Sequence, residues 1–182
     1  MKQPTPSVSD AMMLSAAHPP LLKVREMTVL ALFSALMIAL QVAMASLPNI
    51  ELVTLLIILC TLHFGYKSIF SVAVFVLVEG LIYGVSMWWI NYLYVWPLLV
   101  LIVLPLRKQS SVLLWTVLAG MYGLLFGTLC SIPYFITGGF AAGIAYIIAG
   151  IPYDLAHCLG NVVSVLVLFA PLDKLMKRCL RN

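Results

Sequence analysis

Long apolar stretches make up most of the chain, and short segments containing proline, glycine or charged residues separate them. No charged side chain occurs between Lys108 and Asp154. Crossing the hydrocarbon core takes about 20 apolar residues as a helix, and lipid offers the backbone no hydrogen-bond partners. The stretches lack the apolar and polar alternation of a barrel strand. The pattern therefore predicts an all-α integral membrane protein, a bundle of six transmembrane helices.

The breaks between apolar stretches predict where the helices begin and end. The first three are expected at 27–46, 50–64 and 68–85. An aromatic-rich outer connection at 87–96 leads into the fourth, which ends near Leu106. The fifth covers 112–132, and an apolar, glycine-rich stretch follows to Ala149. Pro152 fits the first turn of the sixth, because a proline there loses no helical hydrogen bond; this helix ends before Pro171. The predicted divisions are a cytoplasmic N-terminal tail at 1–24, the transmembrane domain at 25–172 and a basic cytoplasmic C-terminal tail at 173–182.

Composition and charge placement support a membrane location and predict its orientation. The 182 residues are 64% hydrophobic and 9% charged, which excludes an ordinary soluble domain. With six helices, all ten basic residues fall on one side, which the positive-inside rule assigns to the cytoplasm. Both termini are therefore expected in the cytoplasm of a multi-pass cell membrane protein. The basic residues are Lys2, Lys23, Arg25, Lys67, Arg107, Lys108, Lys174, Lys177, Arg178 and Arg181.

A stripe of small residues runs along the first predicted helix at a spacing of four. Such a stripe lets another helix approach closely. Packing within the bundle and docking of a separate membrane subunit are both consistent with it. The stripe consists of Ala31, Ala35, Ala39 and Ala43.

The carboxylates Glu51, Glu79 and Asp154 are the acidic residues within the predicted membrane region, all in its outer half. An ionised group in hydrocarbon is costly, so such residues usually face a cavity or a partner. Glu51 and Asp154 also suit the first turns of their helices, where the dipole favours negative charge, with Asn49 as a cap before Glu51. Glu79 lies deeper, and a cavity-lining position is predicted for it.

The segment at 87–96 carries a dense group of aromatic residues that include Trp88, Trp89 and Tyr92, with Asn91 among them. Trp and Tyr are common at the lipid headgroup level, so an interfacial belt explains the segment. A lid that stacks on a planar ligand explains it equally well.

Asp154, His157 and Asn161 share one face of the sixth predicted helix. Hydrogen bonds to a ligand or to Glu79 are expected for this stripe. A metal site would need more histidines, and only His63 remains in the membrane region, so no metal ligand is assigned. The chain also lacks a GxxxxGK[ST] loop, HExxH and GxSxG. No cofactor and no enzymatic activity are expected, although His157 with Asp154 leaves a general-base pair open as a minor alternative.

Six helices in a short chain, the alanine stripe, the cytoplasmic ends and an outward polar and aromatic site resemble the substrate-binding S component of energy-coupling factor (ECF) transporters. Residues 47–54 and 88–96 look like a vitamin-type subgroup, with cobalamin as one candidate. The family's cobalt and nickel members carry histidine directly after the initiator Met, whereas this chain has Lys2. That departure argues against a metal-ion substrate.

The resemblance implies a high-affinity receptor for a vitamin or related micronutrient. The alanine stripe would dock onto a transmembrane coupling subunit, and two cytoplasmic ATPases would drive release inside. The site residues expected on this basis are Asn49, Glu51, Glu79, Trp88, Trp89, Asn91, Tyr92, Tyr134, Asp154, His157 and Asn161. A stand-alone secondary carrier or a small channel for a polar organic solute is the alternative.

Overall fold

A computed structural model describes residues 24–181, and every regular element within that range is helical. The helices are α1 Val24–Ala43, α2 Val53–Phe64, α3 Ser68–Tyr83, α4 Met87–Leu106, α5 Val112–Leu124, α6 Phe126–Cys130 and α7 Ile132–Arg181. The segments long and apolar enough to cross a membrane are Val24–Ala43, Val53–Tyr83, Met87–Leu106 and Ile132–Leu180. The all-α class and the long apolar helices are therefore confirmed. The predicted N-terminal tail, apart from its last residue, lies outside the described residues.

Contacts between helix termini define one end of the bundle, which we call the basic end. These contacts join Lys67 to Glu26 at 2.8 Å, His63 to Asp173 at 3.0 Å, Arg107 to Gly65, and Arg25 to the Cys179 carbonyl. The Lys and Arg residues between positions 24 and 180 all lie in, or directly beside, these segments. The helices that carry them begin or end here, so successive long helices run in opposite directions.

The helix pairs are joined by close packing and by hydrogen bonds from small polar side chains. In the α1–α3 pair, the Ser71 hydroxyl donates to the Leu30 carbonyl at 2.8 Å. In the α5–α7 pair, Asn161 Nδ2 donates to the Ala119 carbonyl at 3.0 Å. A Cβ on Gly123 would lie 2.9 Å from the backbone of α7, so glycine is needed for this close approach.

The expected outer connection at 87–96 is wrong, because these residues form the first turns of α4. Ser86 is extended, and the helix starts at Met87. Asn91, Val95 and Trp96 are buried at helical spacing, so one face of the segment packs into the bundle. Aromatic composition alone could not distinguish this buried face from an interfacial loop.

The predicted limits of the sixth helix are also wrong. The glycine-rich stretch before it is helical on both sides of Gly139, whose φ of 77° and ψ of −175° break the helix. Beyond this break one helix continues through Pro152 and Pro171 to Arg181. A proline removes its own backbone hydrogen bond but leaves the hydrogen bonds of the neighbouring residues in place. In a membrane protein, helices that pack against other helices tolerate that loss.

Candidate functional site

Adjoining cavities lie at the end of the bundle opposite the basic end, and we call this the carboxylate end. The first, of about 250 Å³, is lined by residues that include Glu51 and His157. The second, of about 290 Å³, contains Asp154, and a further cavity of about 290 Å³ contains Glu79. Each of the carboxylates singled out from the sequence therefore borders a cavity, as expected for Glu79.

Shared lining residues connect these cavities. Gln41, Ala45 and Tyr92 line both the Glu51 cavity and the Glu79 cavity. Asn49 and Phe126 line both the Glu51 cavity and the Asp154 cavity. The Glu51 cavity is thus the centre of a continuous arc, with the other two on either side of it.

Glu51 is held at the start of α2 by three hydrogen bonds. Its Oε2 accepts from the Thr54 backbone N–H at 2.8 Å, and its Oε1 accepts from the Thr54 hydroxyl at 2.5 Å. Oε1 also lies 2.9 Å from His157 Nε2. The carboxylate caps the first turn of α2, where the helix dipole favours a negative charge. Asn49, the expected cap, instead adopts a left-handed φ of 54° in the preceding turn and lines the cavities.

His157 joins α7 to α2 across 106 residues of sequence. The expected hydrogen bond from its helix face to Glu79 is wrong, because the partner of His157 is Glu51. The imidazole packs edge-on against Phe126, with ring centroids 4.8 Å apart. Its Nδ1 is buried without a hydrogen-bond partner among the described residues. The bond to Glu51 therefore fixes the ring through Nε2 and leaves the other ring nitrogen unsatisfied within the described part of the chain.

Asp154 and Asn161 both contact the α5–α6 segment but differ in what they leave free. Asp154 Oδ1 accepts from the Gly127 N–H at 2.9 Å, and its side chain also lines a cavity with Tyr146 and Tyr153. Asn161 is 1% exposed and donates to α5, while its Oδ1 has no partner in the described part of the chain. Asp154 is thus positioned for a ligand, and Asn161 lies behind the site, deeper in the bundle.

Glu79 differs from the other two carboxylates because its Oε1 accepts no hydrogen bond from the described part of the chain. Its side chain is 1% exposed, and Oε1 is buried without a hydrogen-bond partner among residues 24–181. The cavity beside it is lined by Gln41, Ala45, Tyr83, Trp88 and Tyr92. The geometry thus places an unsatisfied carboxylate oxygen beside aromatic rings.

A continuous series of aromatic rings runs from the Glu79 cavity to His157. Along it, neighbouring ring centroids are 4.8–6.4 Å apart, the range of favourable aromatic contacts. The rings are Tyr83, Trp88, Tyr92, Trp96, Phe126 and His157. Trp88, Tyr92 and Trp96 occupy one face of α4 at a spacing of four. They form an inner wall of the site.

Three of the expected site residues have other roles in the structure. Trp89 packs over Gly80 and donates its indole N–H to the Val76 carbonyl at 2.9 Å. Asn91 is buried, with its Oδ1 3.0 Å from the Tyr94 hydroxyl. Tyr134 stacks on Tyr146 at 4.1 Å in the hairpin around Gly139. They support the walls of the site and are not among the residues that line the three cavities.

Several lining residues were missed by the sequence analysis. Trp96 and Phe126 continue the aromatic wall, Gln41 lies between two cavities, and Tyr146 borders the Asp154 cavity. The spacing of four from Trp88 through Tyr92 could have identified Trp96, had the segment been taken as helical. Gln41 is the one polar residue in the last part of α1, residues 35–43, and that isolation was its signal.

The small-residue stripe of α1 faces away from the bundle. Ala31, Ala35, Ala39 and Ala43 are all exposed, whereas Phe33, Ser34 and Met37 on the same helix are buried. The described residues therefore do not bury the stripe, as packing within the bundle, one of the two interpretations of the sequence, would require.

Within residues 24–181 no group of three or more His, Cys, Asp or Glu side chains is arranged to hold a metal ion. What the arrangement offers instead is a set of carboxylate side chains that line cavities, beside an aromatic wall. In comparisons with known proteins, no family model, no curated protein and no solved structure matches this chain.

Proposed function

We propose that this chain is the substrate-binding subunit of an ECF-type uptake transporter for a vitamin or a related micronutrient. The observation that carries the proposal is the arc of adjoining cavities at the carboxylate end, opposite all the described Lys and Arg residues up to position 180. Six crossings would place the basic end and both termini in the cytoplasm of the cell membrane. The cavities would then open to the exterior.

The depth of the site is consistent with a receptor open to the outside. His157 and Asp173 lie on one helix, about 24 Å apart along its axis at 1.5 Å per residue. Because the hydrocarbon core is about 30 Å thick, the Glu51–His157 pair lies in its outer part when Asp173 is at the inner boundary. A ligand would bind below the membrane surface, within the bundle.

The exposed face of α1 supports a partner in the same membrane. Four exposed alanines at a spacing of four form a smooth strip on which a second helix can pack closely. The sequence has no phosphate-binding loop of its own. Energy for uptake would therefore come from a transmembrane coupling subunit and two cytoplasmic ATPases, with this chain supplying recognition.

The size of the cavities bears on the ligand. Each is about 250–290 Å³, at or below the lower limit typical of sites for small organic molecules. Because the cavities adjoin, a small organic molecule of typical size would extend over more than one of them.

The experiment that tests the proposal begins with purification from cells without added substrate, followed by mass spectrometry of co-eluting compounds. We expect one compound to co-purify in a near-stoichiometric amount, because a high-affinity site retains its ligand. The isolated chain in vesicles should bind that compound without accumulating it. Accumulation by this chain alone, without ATP, would contradict the proposal and identify a secondary carrier.

A further inference from the structure

We propose that the ligand of this site is an organic cation whose positive group sits beside Glu79, against the rings of Trp88 and Tyr92. This inference rests on the proposed function and adds the chemical class of the substrate. A free amine and a quaternary nitrogen both belong to that class.

The three carboxylates differ in the hydrogen bonds that they accept. Glu51 accepts three hydrogen bonds, one of them shared with His157, and Asp154 accepts from the Gly127 N–H. Glu79 Oε1 has no such partner among the described residues, although the residue is only 1% exposed. A buried carboxylate oxygen without a partner is strongly unfavourable. A ligand that supplies a positive charge or a donor would remove that cost.

No basic side chain of the described residues lines the cavity beside Glu79. The lining of its cavity contains no Lys, Arg or His. Between residues 24 and 180, the Lys and Arg side chains belong to the basic end, and His157 is engaged by Glu51. The described protein therefore offers Glu79 no counter-ion, and a cation from outside would meet no competing positive charge.

Aromatic rings form a wall of the same cavity. Tyr83, Trp88 and Tyr92 all line it, and the Trp88 and Tyr92 rings are in contact with their centroids 5.2 Å apart. The faces of aromatic rings attract cations, most strongly for Trp and for quaternary ammonium groups. A carboxylate beside two rings is a combination that selects a cation over an anion or a neutral molecule. Tyr83 is 48% exposed and marks the open side of the cavity.

The test is a titration of the full-length protein in detergent with benzyltrimethylammonium chloride, followed by tryptophan fluorescence. We expect saturable quenching for the wild type and at least a tenfold weaker affinity for Glu79→Gln. Phenylacetate and benzyl alcohol, an anion and a neutral molecule with the same ring, should not compete. Asp173→Asn removes a carboxylate from the basic end and is the matched control, with affinity unchanged.

Equal affinity of Glu79→Gln and wild type, competition by phenylacetate, or no saturable quenching by the cation would each overturn the inference. Thermal unfolding supplies a second readout that needs no ligand. Removing an unpaired buried carboxyl group should leave the unfolding temperature of Glu79→Gln equal or higher, and a lower temperature would contradict the unpaired state. A co-purified compound that is neutral or anionic would overturn the cation while leaving the receptor proposal in place. Uptake by the chain alone would overturn the receptor proposal whatever the charge of the ligand.

Discussion

Replacing both Ala35 and Ala39 by tryptophan is expected to reduce energised uptake to background. Ligand binding by the isolated chain should remain unchanged. Both residues are exposed on α1, on the side opposite the buried Phe33 and Met37. Bulky rings there would hold a partner helix several ångströms away, because close packing of membrane helices depends on small residues at the contact. The cavities are not lined by either alanine.

Uptake of the co-purified compound into cells that also express the coupling subunits is the appropriate measurement, with equilibrium binding by the purified variant beside it. Ala170→Trp is the matched control, since Ala170 is exposed on α7, outside the stripe. The control should transport normally. Normal uptake by the double variant, or loss of binding with uptake retained, would exclude α1 as the docking face.

Breaking the Glu51–His157 pair should produce the largest loss of stability at the site. Both side chains are buried, Nε2 and Oε1 are 2.9 Å apart, and the bond connects α2 to α7. Removing one member of a buried pair leaves the other without its partner and typically costs about 3–5 kcal/mol. We expect Glu51→Gln to approach the lower part of that range, since glutamine keeps one acceptor for the Thr54 N–H.

A double-mutant cycle with His157→Gln isolates the pair from the rest of Glu51's contacts. The free energies of unfolding, measured in detergent, should be non-additive by about 1–3 kcal/mol, as found for residues in direct contact. The pair between His63 and Asp173 is more exposed, and its cycle should give a smaller coupling. Strictly additive effects of Glu51→Gln and His157→Gln would mean that the hydrogen bond contributes nothing to the fold.

The sequence was sufficient for the features that depend on local composition. Apolar length predicted the helices, and the rarity of charge identified Glu51, Glu79 and Asp154 as residues in need of a cavity or a partner. The break between the helices predicted at 50–64 and 68–85 was identified too, and the structure shows Gly65 there with a positive φ of 60° that most residues avoid. Each of these features depends on residues within a single segment of the chain.

Features that depend on which helices are neighbours were not predictable. The bond between Glu51 and His157 requires α2 to lie beside α7, and nothing in either segment specifies that contact. Trp89 was grouped with Trp88, yet the two point in different directions because successive helical residues are about 100° apart. Prolines are ambiguous for a similar reason: Pro152 suits the first turn of a helix, yet the structure places it inside α7.

The direction in which the carboxylate end faces is tested most directly by labelling single cysteines in intact cells with a membrane-impermeant maleimide. The four native cysteines would first be replaced by alanine. Ser86, exposed in the turn between α3 and α4, and Ser110, exposed in the turn between α4 and α5, lie at opposite ends of the bundle. We expect Ser86→Cys to be labelled from outside and Ser110→Cys only after the membrane is permeabilised. Labelling of Ser110→Cys but not Ser86→Cys in intact cells would turn the cavities towards the cytoplasm and contradict an uptake receptor.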